Sequence, residues 1–241
     1  MKINITFPCY NEEKILNNNT IFLFNFLNKN ITEDQWQIII ADNNSTDNTA
    51  KIAKELESRF KQIKYFFISQ KGKGAAIKAG WNNFDADIYI FMDADLSVDL
   101  EALPKLINAI KKEHYDIAVG SRFHKQSVVK RSMVRKIISW FYKTIKKIIT
   151  NSNVLDLPCG FKAANKDIIK KVLPQVKNNK WFFDSEFIIL SESYGYKIKE
   201  ISVKWEDIRE NGDKSRVKIV ALGFNYIKNL IELRKRLKKL N

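Results

Sequence analysis

Short apolar runs that alternate with helix-like segments are the feature that most constrains the fold of this chain. The apolar runs predict five strands within the first 120 residues: KINITF, WQIIIAD, IKYFFIS, ADIYIFMD and YDIAVG. Segments with helical spacing of apolar residues lie between them, at about 12–28, 47–61, 74–84 and 99–113. This alternation is typical of βαβ units, so we predict an α/β fold with a mostly parallel, Rossmann-like sheet flanked by helices.

Polar residues follow every one of these predicted strands. The first strand is followed by PCYNEE, the second by DNNSTD, the third by KGKG, the fourth by DADLS and the fifth by GSRF. The carboxyl ends of parallel strands share one edge of a sheet, and ligands of open α/β sheets bind at that edge. We therefore expect these five segments to line a single binding site.

The pattern changes near residue 125. The segment VVKRSMVRKIISWFYKTIKKIIT has apolar residues at helical spacing with Lys and Arg on the opposite face, and 217–240 is a second amphipathic segment with a basic end. Between them, KIKEISVKW alternates like a strand. We expect one continuous domain with two halves, 1–125 and 126–241. The basic helices of the second half either lie on an anionic membrane surface or pack against the domain or a second copy.

The composition excludes several classes of protein. Hydrophobic residues make up 45% and charged residues 29% of the 241 residues, which is enough to bury a core. Two cysteines and two histidines exclude a disulfide scaffold and a His/Cys metal cluster, and favour a reduced, cytoplasmic protein. The N-terminal MKINITFPCYNEE lacks a signal-peptide core, and no apolar run reaches the ~18 residues of a membrane span, so we expect neither feature.

The net charge of +15 is unevenly distributed along the chain. No acidic residue lies between Asp116 and Asp156, where nine Lys and Arg are found, and RKRLKKL lies near the C-terminus. Such a chain favours polyanions, which are nucleic acids, phosphates or an anionic membrane face. Because no nucleic-acid-binding module is recognisable, we expect phosphates and a membrane surface rather than nucleic acid.

The run FMDADLS ends an apolar strand in two carboxylates, Asp93 and Asp95. Carboxylates at i and i+2 can share a hard divalent cation such as Mg²⁺ or Mn²⁺, which takes oxygen ligands from one or two carboxylates and from substrate phosphates. The alternative is structural: Asp93 ends the strand and Asp95 caps the helix that follows.

Together these segments resemble a known family. FPCYNEE, IIIADNNSTDNT, KGKGAAIKAGW and the D-x-D, in this order, resemble the nucleotide-sugar-binding half of the inverting GT-A fold glycosyltransferases of family two. In the second half, GSRFH, DLPCGFKAAN and KWFFDSEFIIL look like the polyprenyl-phosphate hexose synthases, and most of all like the dolichyl-phosphate glucosyltransferases. The resemblance implies a GT-A fold, with a nucleotide-sugar-binding half at 1–125 and an acceptor-binding half at 126–241.

The resemblance also implies which residues bind the donor. It assigns nucleotide-sugar binding to Pro8, Tyr10, Glu12, Asp42, Lys73, Asp93, Ala94 and Asp95. It assigns the Mg²⁺ or Mn²⁺ ion to Asp93, Asp95 and Ser97. Alternatives stay open for some: Pro8 and Tyr10 suit a packed turn, and Glu12 and Glu13 suit the positive end of the first helix. The family's second aspartate in D-D-x-S is Asn43 here.

For the acceptor, the resemblance implies a phosphate site made of cations. It assigns this site to Arg122, Arg135, Ser139, Arg209 and Arg216, and catalysis to Asp95, Arg122 and Arg209. A phosphate monoester is largely dianionic near pH 7, so the transferase needs positioning and positive charge rather than a general base. Arginine suits this role because its planar fork pairs bidentately with phosphate.

The expected activity is inverting, metal-dependent transfer of glucose from UDP-glucose to a polyprenyl phosphate, at the cytosolic face of a membrane. GDP-mannose as donor, or a surface polysaccharide as acceptor, are the alternatives, and a basic nucleic-acid-binding protein is a distant one. Within KWFFDSEF, we expect Asp184 or Glu186 to contact the sugar hydroxyls, while Trp205 packs on the sugar or fills the core. Lys146 is expected to belong to a solvated or membrane-facing stripe of lysines.

Overall fold

The computed structural model describes residues 1–130, 133–206 and 219–239. The strands are β1 (Lys2–Cys9), β2 (Gln35–Asp42), β3 (Ile63–Phe67), β4 (Ile88–Met92), β5 (Ile117–Ser121), β6 (Val128–Lys130), β7 (Phe161–Asn165), β8 (Ile198–Ser202) and β9 (Lys204–Glu206). The α-helices are α1 (Leu16–Asn30), α2 (Thr49–Arg59), α3 (Lys73–Asn83), α4 (Leu103–Lys111), α5 (Met133–Thr150), α6 (Lys166–Lys171), α7 (Phe183–Ser193) and α8 (Ile219–Leu237). The five predicted strands and the helices between them are confirmed.

Within the described residues, seven strands form one sheet in the order β3-β2-β1-β4-β7-β5-β8. The neighbours pair in parallel except at β7, which is antiparallel to both β4 and β5. The predicted α/β class is therefore confirmed. The predicted strand KIKEISVKW is divided, since β8 joins this sheet while β9 pairs with β6 in a small second one. Strands β7 and β8 come from the 126–241 half, so both halves build the same sheet.

The central strand β7 has no equivalent among the sequence predictions. Its sequence, FKAAN, is short and contains Lys, Ala and Asn, which are uncommon in strands. Pairing on both edges holds it in place, and Phe161 lies opposite Met92 at the end of β4. Because β7 runs antiparallel, its first residues, and Gly160 before them, lie at the same edge as the carboxyl ends of β1 to β5.

Apolar clusters cover both faces of the sheet, and strand β1 contributes its apolar residues to one of them. Its odd-numbered residues, including Ile5 and Phe7, belong to the larger core cluster with α1 and α4. Its buried even-numbered residues are polar and face α3: the Thr6 hydroxyl donates to Asn4 Oδ1, and Asn4 Nδ2 donates to Gly80 O at 3.0 Å. A Cβ on Gly80 would come within 2.6 Å of Thr6, so α3 packs closely only because this residue is glycine.

Helices α5 and α8 pack together over a second cluster of buried apolar residues, on the other face of the sheet from the larger core cluster. The Tyr142 and Tyr226 rings meet edge to face at 5.5 Å, and Tyr226 also contacts Phe182, which is buried in the core. The expectation for Lys146 is wrong, because this side chain is buried. Its ammonium group donates to Ser152 O at 3.0 Å and to Val154 O, since the chain turns back after α5. Burial lowers the Lys146 pKa to about 8.

None of the described helices combines the length and the hydropathy that a bilayer span requires.

Candidate active site

Hydrogen bonds join the loops after β1 and β2 into one wall of the site. Asn11 N donates to Ser45 Oγ at 3.0 Å, and Asn11 Oδ1 accepts from Thr46 N at 2.7 Å. Asn11 adopts a φ of 54°, a left-handed conformation that asparagine tolerates well. The predicted donor residues Tyr10 and Glu12 flank this asparagine, so they lie against the second loop.

Glu13 was expected to complement the positive end of the first helix, but its carboxylate binds elsewhere. Its Oε2 accepts from the Asn48 backbone N–H at 2.9 Å and from Asn48 Nδ2 at 2.8 Å. Asn48 is the N-cap of α2, so the Glu13 carboxylate lies at the positive end of the second helix instead. This contact also ties the first loop to the second.

Asp42 is fully buried at the end of β2, below the surface of the wall. Its Oδ1 accepts from Ser45 N at 2.9 Å, and its Oδ2 accepts from the Tyr65 hydroxyl at 3.1 Å. Burial, together with the neighbouring carboxylate, raises the pKa of Tyr65 to about 12. Asp42 therefore fixes the second loop, and its role in nucleotide-sugar binding stays a prediction.

The K-G-K-G loop is held from two sides by amide groups. Asn43 Oδ1 accepts from Gly72 N at 2.6 Å, and Asn43 Nδ2 donates to Gln70 O at 2.7 Å. From the other side, Asn179 O accepts from Ala75 N at 3.0 Å, and a Cβ on Gly72 would come within 2.0 Å of that oxygen. Asn43 both donates and accepts, which an aspartate at this position could not do. The structural role of this departure from the family pattern is not evident from sequence.

Lys73, the first residue of α3, lies in a largely buried group of alternating charges. Its Nζ is 2.8 Å from Asp93 Oδ1 and 3.3 Å from Asp184 Oδ2. The Nζ of Lys162, from β7, is 3.6 Å from Asp184 Oδ1. Burial disfavours the charge on Lys73, but Asp184 and Asp93 outweigh it and raise the Lys73 pKa above its ordinary value. Asp184 therefore faces two lysines, and the role of Lys162 as a partner is not predictable from the sequence.

The D-x-D segment is oriented by its own neighbours. Asp93 N donates to Gly160 O at 3.0 Å, and a Cβ on Gly160 would lie 1.9 Å from Asp93 Oδ2. Asp95 Oδ1 accepts from both the backbone N–H of Ser97, at 3.1 Å, and its hydroxyl, at 2.7 Å. The N-cap of the 3₁₀ turn that follows is Asp99, so the expectation that Asp95 caps this helix is wrong.

These carboxylates fit a divalent cation. Asp93 has 40% of its side chain exposed, and the Ser97 hydroxyl orients Asp95 as an outer-sphere group orients a metal ligand. No group of three or more His, Cys, Asp or Glu able to hold a metal occurs in the described part of the chain. A cation at Asp93 and Asp95 would thus take its other ligands from substrate phosphates and water, as Mg²⁺ commonly does.

Arg122, the residue that follows β5, forms a bidentate ion pair with Asp156. Its Nε and Nη2 donate to Asp156 Oδ2 and Oδ1, each at 2.8 Å, and its backbone N–H donates to Oδ2 at 2.8 Å. Burial opposes the charge on Arg122, but Asp156, and to a smaller extent Asp93, raise its pKa above the ordinary value. The guanidinium lies 5.5 Å from the Trp205 ring. A guanidinium has five donors, so this pairing leaves N–H groups for a phosphate.

Trp205 is half-buried against the larger core cluster and also lines a small recess beside the D-x-D. Asp93, Ser97 and Gly160 line the same recess. Its packing on a sugar stays a prediction.

Glu186 has a positioning role instead of the expected contact with a sugar. Its carboxylate accepts from Lys177 N at 3.0 Å and from Asn178 N at 2.7 Å, and it pairs with Arg236 of α8. The segment that it holds carries Asn179, which seats the K-G-K-G loop. Glu186 is too remote in sequence from that loop for this connection to be predicted.

The remaining predicted residues are only partly described. Ser139 lies in α5, half-buried. Arg135 belongs to α5 at a position whose side chain is outside the described part, and Arg209 and Arg216 lie outside the described residues. Ala94 is held by Asn19 Nδ2, which donates to its carbonyl at 2.8 Å. The structure thus brings Lys73, Asp93, Asp95 and Ser97 to one edge of the sheet, next to the Arg122–Asp156 pair.

Comparison with solved structures identifies the architecture as the GT-A glycosyltransferase fold. The glucosyl-3-phosphoglycerate synthase from Mycobacterium tuberculosis, solved with Mn²⁺, UDP and glucosyl-3-phosphoglycerate, superposes with a TM-score of 0.72 over 97% of this chain and 80% of that one, at 16% identity. The mannosyl-3-phosphoglycerate synthase from Rubrobacter xylanophilus gives a TM-score of 0.73 over all of this chain and 76% of that one, at 10% identity.

The chain belongs to glycosyl transferase family 2, whose family model matches residues 5–173. It is 30% identical to the dolichyl-phosphate beta-glucosyltransferase of Saccharomyces cerevisiae, over 96% of this chain and 74% of the yeast protein. It is 27% identical to the human dolichyl-phosphate beta-glucosyltransferase, over 86% of this chain and 68% of that protein. It is also 26% identical to the glycosyltransferase AglD of Haloferax volcanii, over 86% of this chain but only 33% of AglD. The protein is therefore a hexosyltransferase of this family.

Proposed function

We propose that this protein transfers glucose from UDP-glucose to a polyprenyl phosphate with inversion at the anomeric carbon. The observation that carries the proposal is the position of Asp93, which contacts Lys73 at 2.8 Å and lines a recess with Trp205, whose ring lies 5.5 Å from the Arg122 guanidinium. Two cations thus lie near the D-x-D, as a reaction between two anionic substrates requires. The similarity to dolichyl-phosphate beta-glucosyltransferases supports glucose and a dolichyl-type acceptor.

On the donor side, Pro8, Tyr10 and Glu12 would line the nucleoside pocket, and Lys73 would balance the diphosphate charge. Asp93 and Asp95, with Ser97, would hold Mg²⁺ or Mn²⁺, which when bound stabilises the charge of the departing diphosphate. Trp205 offers an aromatic face beside Asp93 for the sugar ring.

On the acceptor side, Arg122 would hold the phosphate with the help of Arg135, Ser139, Arg209 and Arg216. The acceptor phosphate is already dianionic near pH 7, so its oxygen attacks the anomeric carbon without a protein base. Attack from the face opposite the nucleoside diphosphate breaks the glycosyl–oxygen bond with inversion, and UDP leaves with the electron pair. The protein then has to hold the acceptor phosphate and the donor diphosphate in line with the anomeric carbon.

We further propose that helix α5 places the enzyme on the cytosolic face of an anionic membrane, where the acceptor lipid resides. Trp140, Phe141 and Ile148 are exposed by 58%, 55% and 71%, and Lys147 is exposed beside them. Aromatic residues next to lysine suit the interface of a bilayer. Co-sedimentation with vesicles containing anionic lipid tests this: Trp140→Ser and Phe141→Ser should weaken binding, whereas Phe22→Ser, an equally exposed phenylalanine on α1, should not.

The transfer reaction itself is tested with radiolabelled UDP-glucose and GDP-mannose, a short-chain polyprenyl phosphate and Mn²⁺. We expect label to enter the lipid fraction from UDP-glucose, with the β configuration by NMR coupling constants. Transfer from GDP-mannose alone would replace the donor in this proposal by its main alternative. Absence of transfer from any common nucleotide sugar would overturn the proposal.

A further inference from the structure

We propose that the ammonium group of Lys73 competes with the divalent cation for the carboxylate of Asp93, so that cation and nucleotide diphosphate bind cooperatively. This inference rests on the proposed donor site and adds a mechanism of ordered loading to it. Lys73 acts here as an internal counter-ion of Asp93. A diphosphate must attract the ammonium group away from Asp93 before the cation binds tightly.

The first observation is that Lys73 and a cation need the same oxygen. Lys73 Nζ lies 2.8 Å from Asp93 Oδ1, and 8% of the Lys73 side chain is exposed. A metal–oxygen bond of about 2.0–2.1 Å to this oxygen would bring a second positive charge almost into contact with the ammonium group. Two cations so close together in a partly buried site repel each other strongly.

The second observation is that Asp93 cannot easily turn away from Lys73. Its backbone N–H donates to Gly160 O at 3.0 Å, and its Oδ2 lies so close to the Gly160 Cα that a Cβ there would be 1.9 Å away. Gly160, the residue before β7, therefore blocks one side of the carboxylate. Lys73, on a flexible four-carbon stem, is the partner that can move.

The third observation is that Asp184 is a second carboxylate partner of Lys73. Asp184 Oδ2 lies 3.3 Å from Lys73 Nζ, and only 3% of the Asp184 side chain is exposed. Asp184 Oδ1 is buried and accepts no hydrogen bond among the described residues, although Lys162 Nζ lies 3.6 Å away. The ammonium group can therefore leave Asp93, keep Asp184 as a partner and take a phosphate oxygen as its new one.

These contacts make the two binding events mutually dependent. A cation alone must displace Lys73 from Asp93, whereas a diphosphate provides Lys73 with a new partner and the cation with further oxygen ligands. By linkage, the factor by which UDP tightens cation binding equals the factor by which the cation tightens UDP binding.

The test is a Mn²⁺ titration, followed by the electron paramagnetic resonance signal of free Mn²⁺, with and without UDP. For the unaltered chain we expect UDP to tighten Mn²⁺ binding by about 5- to 150-fold, the usual range of such coupling. In Lys73→Met, Mn²⁺ alone should bind several-fold more tightly, and the effect of UDP should shrink. Lys71→Met is the matched control: it removes the positive charge of an exposed lysine two residues before Lys73 and should leave both quantities close to those of the unaltered chain.

A second variant should change the affinity for Mn²⁺ alone in the opposite direction. Asp184→Asn leaves Asp93 as the carboxylate partner of Lys73, so Mn²⁺ alone should bind more weakly than to the unaltered chain. Equal Mn²⁺ affinity of Lys73→Met and Lys71→Met without UDP overturns the inference. So does an unaltered chain that binds Mn²⁺ equally well with and without UDP, whatever the variants do. Failure of the unaltered chain to bind UDP with Mn²⁺ at all overturns the proposed donor site itself.

Discussion

Asp156→Asn removes the carboxylate that positions the predicted acceptor arginine. Asp156 is fully buried and accepts three hydrogen bonds from Arg122, each at 2.8 Å. Asparagine keeps the size of the side chain but removes the charge, which leaves a guanidinium that is 15% exposed without its counter-ion. Breaking a buried ion pair by removing one partner costs about 3–5 kcal/mol, and we expect the lower end because asparagine retains an acceptor oxygen.

At about 3 kcal/mol, the melting temperature of a chain of this size should fall by roughly 6–12 °C. The free energy of unfolding, measured by urea denaturation, should fall by the same ~3 kcal/mol. The matched control is Asp167→Asn, which removes an exposed carboxylate that pairs with Lys171 on the surface. Its melting temperature should stay within experimental error of the unaltered chain, because exposed pairs stabilise little.

The pH dependence gives this prediction a further signature. Burial would raise the pKa of Asp156, but Arg122 outweighs it and holds this pKa below the ordinary value near 3.8. A carboxyl whose pKa is lower in the folded state stabilises the fold above its unfolded pKa and loses that effect as the pH falls through the folded pKa. The difference between the unaltered chain and Asp156→Asn should be constant from pH 5 to 8 and shrink below pH 4. Equal melting temperatures for Asp156→Asn and Asp167→Asn at pH 7 would refute the reasoning.

Two other substitutions test the geometry of the donor side. Gly160→Ala places a Cβ 1.9 Å from Asp93 Oδ2, so Mn²⁺-dependent UDP binding, followed by calorimetry, should be lost. Gly223→Ala, in α8 with nothing within 4 Å of the added Cβ, should bind UDP normally and gain up to about 1 kcal/mol of stability. Asn43→Asp restores the family residue but loses the donor to Gln70 O. We expect the binding free energy of the nucleotide sugar to weaken by about 1–3 kcal/mol, which raises the KM with little change in kcat. An unchanged KM would show that the loop does not need this amide.

The parts of this molecule that follow from local patterns are the ones that the sequence predicts correctly. Strands β1 to β5 alternate with helices and end in polar segments, so their order, their parallel arrangement and the shared edge are all confirmed. The predicted donor residues Lys73, Asp93 and Asp95 lie within these segments. Their proximity follows from the parallel topology alone.

The parts that the sequence does not predict depend on contacts between distant residues. Strand β7 has weak strand character and exists because β4 and β5 pair with both its edges, yet it delivers Gly160 and Lys162 to the site. Asp156, 34 residues beyond Arg122, is another example. Glu186 is a further example. Its residue type is the same as that of a sugar-binding carboxylate, but its neighbours are backbone N–H groups of the segment that holds the K-G-K-G loop.

A crystal structure of the chain with UDP and Mn²⁺, with anomalous diffraction to locate manganese, tests the donor site most directly. For the proposed donor site, we expect the ion bound to Asp93 and Asp95 and to the diphosphate, with Lys73 Nζ moved from Asp93 to a phosphate oxygen. Manganese at other side chains, or a diphosphate bound away from the carboxyl ends of β1 to β4, would contradict it.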